Sequence, residues 1–276
     1  MAKRILSTVG LWLLLLAVLY RFGSNGAVAA IVLVSMLTLR EFYRLMAASG
    51  GEPFVRLGML FGGLITLAPW TQAAFGLPAH PLLAMAAIVF AIRVLSERAP
   101  DKRVDALSST LFGLVYVSLM LQYLVRIVTP LAGDSILPSA RLILCIWVVA
   151  VAKFCDVGAL LTGLAIGRHP MAPQISPKKT WEGAVGGVAV AAGVGALVAW
   201  LGRSCLPTAM TPSHAALLSV PVAVIAIVSD LLESVLKRRA VIKDSGGAVP
   251  GIGGVFDLTD SLILAAPVGY FLLGLP

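Results

Sequence analysis

The chain has 276 residues, 59% of them hydrophobic and only 12% charged, where an ordinary soluble domain carries about 25% charged residues. A mean hydropathy of +0.97 belongs with proteins solvated by a bilayer, and no stretch is long and polar enough for a separate soluble domain. The net charge of +8 comes without a soluble basic face or an aromatic-interleaved patch, which excludes nucleic acid as a partner; cytoplasmic loops, or an anionic lipid or nucleotide substrate, account for it.

The opening stretch "MAKRILSTVGLWLLLLAVLYRFGSNGAVAA" imitates a signal peptide, but a second apolar run follows at once, so an uncleaved first span is expected. A bilayer core about 30 Å thick needs roughly 20 apolar residues in a helix. Such runs fall at 5–20, 26–47, 55–70, 80–96, 106–127, 139–166, 182–202, 213–236 and 256–274, the third and fourth being short and the sixth interrupted by Lys153 and Asp156. The expected fold class is all-α: one polytopic membrane domain over 1–276 with about nine transmembrane helices. Within it, 1–135 forms a lipid-facing wall and 136–276 carries the polar motifs. The seventh run, "GAVGGVAVAAGVGALVAW", is built of small residues that permit close contact between helix backbones.

The basic residues test this count. With the N-terminus in the cytoplasm, that side collects Lys3, Arg4, Arg40, Arg44, Arg56, Arg93, Arg98, Lys102, Arg103, Arg168, Lys178, Lys179, Lys237, Arg238, Arg239 and Lys243. The other side receives Arg21, Arg126, Arg141 and Arg203, while Lys153 lies inside a span. Sixteen against four is a strong positive-inside bias, and it orients the chain N-in and C-out. The cysteines (Cys145, Cys155, Cys205) have no CxxC spacing and read as packing residues.

Seven of the 13 acidic residues fall in two windows at that cytoplasmic face: Asp156 and Glu182, then Asp230, Glu233, Asp244, Asp257 and Asp260. A carboxylate at a membrane span is expensive and marks function by default. Asp230, Glu233, Ser234 and Lys237 share one helix face, as do Asp257, Asp260 and Ser261. Hard oxygen ligands suit magnesium, which usually takes one or two carboxylates plus substrate phosphates. Lys237, Arg238, Arg239 and Lys243 supply positive charge, and "SGGAVPGIGG" supplies backbone that can approach a phosphate before a helix N-terminus. In the other window, "ISPKKTWEG", the spacing predicts Thr180 as a helix N-cap with Glu182 in the first turn.

Together, "ISPKKTWEG" and the later pattern S-x-L-K-R-x4-K-D-S-G-x-x-x-P-G-x-G-G-x-x-D-x-x-D-S resemble the phosphatidate cytidylyltransferases, or CDP-diacylglycerol synthases. The pattern runs from Ser234 through Lys243, Asp244, Gly253 and Gly254 to Asp257, Asp260 and Ser261; Asp230 and Glu233 precede it, and Asp156, Gly158 and Ala159 match a motif in the sixth span. Two positions depart from the family pattern: Ile252 stands where the family commonly has His, and Leu258 where it commonly has Arg.

The resemblance implies attack by a phosphatidate oxygen on the α-phosphorus of CTP, giving CDP-diacylglycerol and pyrophosphate. It implies magnesium on Asp230 and Asp257, with Asp260 behind them, and leaves open a monovalent cation. Ser176, Lys178, Lys179, Lys237, Arg238, Gly253 and Gly254 would bind phosphates, and Asp244 would orient Lys243. CTP, phosphatidate and the bilayer are the implied partners, with a homodimer by analogy alone, in a bacterial inner membrane with the site facing the cytoplasm. A cytidylyltransferase for an isoprenoid-type lipid phosphate remains an alternative. A transporter with Lys153, Asp156 and Asp230 as a relay is another, disfavoured by the lack of an evident repeat.

Overall fold

The structure is a computed structural model that describes residues 2–77, 81–95, 100–130, 136–241, 246 and 253–275, apart from the side chains of 2–16 and 100–102. It is helical almost throughout, with one two-stranded sheet among the described residues. Six described helical stretches are long and apolar enough to cross a membrane: Ala17–Ala48, Arg103–Val128, Pro138–Ile166, Trp181–Leu201, Pro212–Arg239 and Val255–Leu272. The chain folds as two compact units, one of residues 1–129 with 236–259 and one of 130–235 with 260–276.

In the first unit, α1 (Ala2–Ala48) covers both of the first two apolar runs. Its backbone leaves the helical region at Gly23 (φ 54, ψ −133), which lacks the Cβ that would oppose this conformation. Next come α2 (Val55–Phe75), α3 (Pro81–Leu95) and α4 (Pro100–Gly113), which passes through one π turn at Leu114–Ser118 into α5 (Leu119–Val128). At the centre, the Phe42 ring of α1 lies 5.5 Å from Phe112, 5.9 Å from Tyr116 and 6.0 Å from Phe256. Beside it, the Tyr43 hydroxyl donates to the Thr110 carbonyl at 3.0 Å. Gly58 makes room for that ring, because a Cβ there would stand 2.5 Å from the Tyr43 oxygen. Lipid tails are as apolar as leucine, so close fit and interhelical hydrogen bonds carry such packing.

The second unit contains α6 (Pro138–Ile166), a hairpin of β1 (Pro170–Ala172) and β2 (Ser176–Thr180), α7 (Trp181–Leu201), α8 (Pro212–Arg239) as far as Val235, and α9 (Val255–Leu272) from Asp260 onward. The small residues of α7 bring it backbone to backbone with α6: a Cβ on Gly187 would lie 2.7 Å from the Cys155 carbonyl oxygen, and one on Gly158 would lie 2.6 Å from Val190 Cβ. As the spacing predicts, Thr180 caps α7, its hydroxyl accepting from Gly183 N–H at 3.1 Å. The hairpin has no periodicity signal in the sequence. Glu182 ties down the chain ahead of β1, accepting from the Arg168 and His169 amides at 3.2 Å each and pairing with His169 Nδ1 at 2.5 Å. Cys145 and Cys155 are buried, Cys205 is half-buried in the turn after α7, and all three are free thiols.

Candidate active site

In the second unit, α6, the hairpin, α8 and α9 bring charged groups together. Asp230 of α8 pairs with Lys179 of β2, Oδ2 to Nζ at 2.5 Å. Asp230, the buried Glu233 and Asp260 each offer a carboxylate oxygen, and these atoms lie within 4.8 Å of one another. Three hard oxygens at this spacing fit a magnesium ion, which takes few protein carboxylates and completes its shell with water and phosphate oxygens. Lys153 and Asp156 of α6 adjoin this group. Lys153 Nζ stands 3.2 Å from Asp156 Oδ2 and 3.2 Å from Asp260 Oδ1, and the Ser261 hydroxyl donates to Asp156 Oδ2 at 2.9 Å.

A cavity of about 290 Å³ opens in front of these residues. Asp156, Asp230, Lys178 and Lys179 line it together with Leu160, Leu164 and Met171. Leu160 and Leu164 are 62% and 77% exposed on α6, a helix long and apolar enough to cross a membrane. The cavity therefore mixes charged side chains with apolar ones, which suits an amphiphile with an anionic head.

In the first unit, Lys237 near the end of α8 pairs with Asp257 in the first turn of α9, Nζ to Oδ1 at 2.6 Å. The other Asp257 oxygen accepts from Gly254 N–H at 3.0 Å. Gly253 holds φ +120, where a side chain would be strained and its Cβ would press on that same oxygen at 2.8 Å. Two residues beyond Gly254, Phe256 N–H donates to the buried carboxylate of Glu41 on α1 at 2.8 Å. Two amides at the start of α9 are thus already held by protein carboxylates. The positive end of the helix attracts carboxylates such as Asp257 and Glu41 as it does other anions.

Sequence reasoning missed Glu41. It lies inside the second apolar run, and the rule that flags carboxylates in membrane spans would have found it. A Cβ on Gly246 would fall 2.5 Å from Glu41 Oε1, so Gly246 packs against this carboxylate. Among the other expected residues, Ser176 begins β2 half-buried, Lys178 is exposed on it, Ser234 is half-buried on α8, and Arg238 is exposed near the end of α8. Lys243, Asp244 and Ile252 lie outside the described residues. Leu258 sits half-buried in the first turn of α9.

The model of the cytidylyltransferase family matches residues 2–275. The chain belongs to that family. The match takes in the N-terminal helices, which the motifs alone did not cover. Among curated proteins, a phosphatidate cytidylyltransferase of Synechocystis sp. is 32% identical over 272 residues, covering 88% of this chain and 86% of its own length. One from Rickettsia bellii is 32% identical over 219 residues, covering 78% of this chain and 90% of its own length. One from Brucella suis is 38% identical over 125 residues, covering 45% of this chain and 44% of its own. The chain is thus 32% identical to the first two of these relatives along most of its length.

Proposed function

We propose that the chain transfers the cytidylyl group of CTP to phosphatidate, giving CDP-diacylglycerol and pyrophosphate. The observation that carries the reading is the cavity of the second unit, lined by a lysine pair and carboxylates together with exposed leucines of a helix apolar enough to cross a membrane. Relatives named phosphatidate cytidylyltransferase supply the identity of the head group and the nucleotide.

In this reaction a phosphate oxygen of the lipid attacks the α-phosphorus of CTP. The bond from that phosphorus to the bridging oxygen breaks, and pyrophosphate leaves with the electron pair. No side-chain nucleophile is required, so the protein acts by positioning and by charge. Lys178 and Lys179 hold the anionic head while Leu160 and Leu164 face its tails. Asp230 fixes the Lys179 ammonium. Lys237, Arg238 and Lys243 bind phosphates; Asp257 orients Lys237 and ties down Gly254, and Asp244 orients Lys243. Asp230, Glu233 and Asp260 would hold magnesium, where the resemblance implied Asp230 and Asp257; when bound it supplies charge neutralisation for the triphosphate and the departing pyrophosphate. The orientation proposed is N-in and C-out over nine spans, supported by the sixteen-to-four division of basic residues, with the site at the cytoplasmic face.

The test is product formation by the purified chain in detergent, given CTP and phosphatidate with and without magnesium. Magnesium-dependent release of CDP-diacylglycerol and pyrophosphate in equal amounts is expected. CTP binding with no product from phosphatidate, but turnover of another lipid phosphate, would move the assignment to that lipid.

A further inference from the structure

Lys153 has no part in the chemistry above, yet it occupies an expensive position. It lies inside a span, its side chain is 26% exposed, and its ammonium touches two carboxylates from two helices, Asp156 three residues along α6 and Asp260 on α9. Around it the contacts close into a ring. Ser261 donates through its hydroxyl to Asp156 and through its amide to Asp260 Oδ1 at 2.6 Å. Ser229 donates to the Asp260 carbonyl. Two lysines, Lys153 and Lys179, here face three aspartates, Asp156, Asp230 and Asp260. Paired charges of this kind in a water-poor setting hold each other in place, and removing one strands the others.

We propose that Lys153 is a built-in counter-cation: its ammonium fills the place between Asp156 and Asp260 that a monovalent ion would otherwise have to fill, and so positions the Asp260 carboxylate beside Asp230 and Glu233. The protein therefore needs no dissolved monovalent cation at this point. An interaction required only for packing would depend on the lysine stem. This one depends on the charge, and a mobile cation can replace the charge but not the stem. Only the consequence for turnover rests on the proposed reaction; the electrostatic role stands without it.

The experiment measures thermal unfolding of the purified full chain in detergent without substrate, so a failure of the proposed reaction cannot be confused with a failure of this assignment. Wild type, Lys153→Met, Lys153→Arg and the charge-matched double variant Lys153→Met/Asp156→Asn are compared in choline chloride and in sodium, potassium or ammonium chloride at equal ionic strength. Wild type and Lys153→Arg are expected to melt alike in all four salts. Lys153→Met is expected to melt about 4 °C or more below wild type in choline, with half or more of that gap returned by at least one of the small cations. The double variant is expected to regain stability with no response to cation. A Lys153→Met melting point that is the same in every salt would overturn the proposal, as would a wild type that responds as strongly as the variant. Should Lys153→Met fail to fold, recovery of folding in the double variant supports the role, and failure of both variants overturns it.

Discussion

Replacing Glu41 by alanine tests whether the N-terminal helices do more than face lipid. The Glu41 carboxylate is 3% exposed and accepts the Phe256 amide at 2.8 Å in the first turn of α9. A buried hydrogen bond to a charged group is worth about 1.5–3 kcal/mol, and an acid at a helix N-terminus adds roughly 0.3–1 kcal/mol. Alanine forfeits both and leaves the amide buried without this acceptor, so a local cost of about 2–4 kcal/mol falls on the start of α9. That segment carries Gly254 and Asp257, whose geometry holds Lys237. A shift of about 2 kcal/mol against the competent conformation of this segment reduces its population by up to about 30-fold, and apparent CTP affinity falls with it. Glutamine retains a carbonyl acceptor and loses only the charge, so a shift of about 2–5-fold is expected. The assay is the KM for CTP and kcat of both variants in detergent, alongside melting temperature. An alanine variant with wild-type KM and kcat would refute the reasoning, whatever its melting temperature.

Asp257→Asn should keep the cap on Gly254 through its carbonyl and lose the charge opposite Lys237; turnover is expected to fall by about 100-fold or more with near-normal melting. Gly187→Ala should force α6 and α7 apart at the Cys155 carbonyl, costing about 1–3 kcal/mol, read as a lower melting temperature in detergent. A chelator should abolish turnover and added magnesium restore it, while Asp260→Asn should raise the half-saturating magnesium concentration by about 10-fold. If that concentration is unchanged in the variant, Asp260 leaves the ligand set.

Much of the helical plan was legible because a span needs a sustained apolar run, which is a property of composition. The runs at 139–166, 182–202 and 213–236 became Pro138–Ile166, Trp181–Leu201 and Pro212–Arg239. The capping role of Thr180 was legible for a similar reason, since the cap and its amide lie three residues apart. What could not be read depends on partners distant in sequence. Asp260 meets Lys153 across 107 residues and Phe256 meets Glu41 across 215, and nothing local records either pairing. The hairpin escaped because its strands of three and five residues are too short for an alternation signal. The break in α1 was legible for the same reason as the spans, since Gly23 falls in the gap between the apolar runs at 5–20 and 26–47.

The burial of Cys145 and Cys155 beside the half-exposed Cys205 makes the natural chain a one-site reporter of its own sidedness. A membrane-impermeant maleimide should find Cys205 alone, with no engineered cysteine-free background to build first. The turn that carries it follows α7, so the N-in orientation puts it outside: intact cells should label and sealed inside-out vesicles should not. Reversed labelling would turn the whole molecule over, and the proposed cytoplasmic site with it.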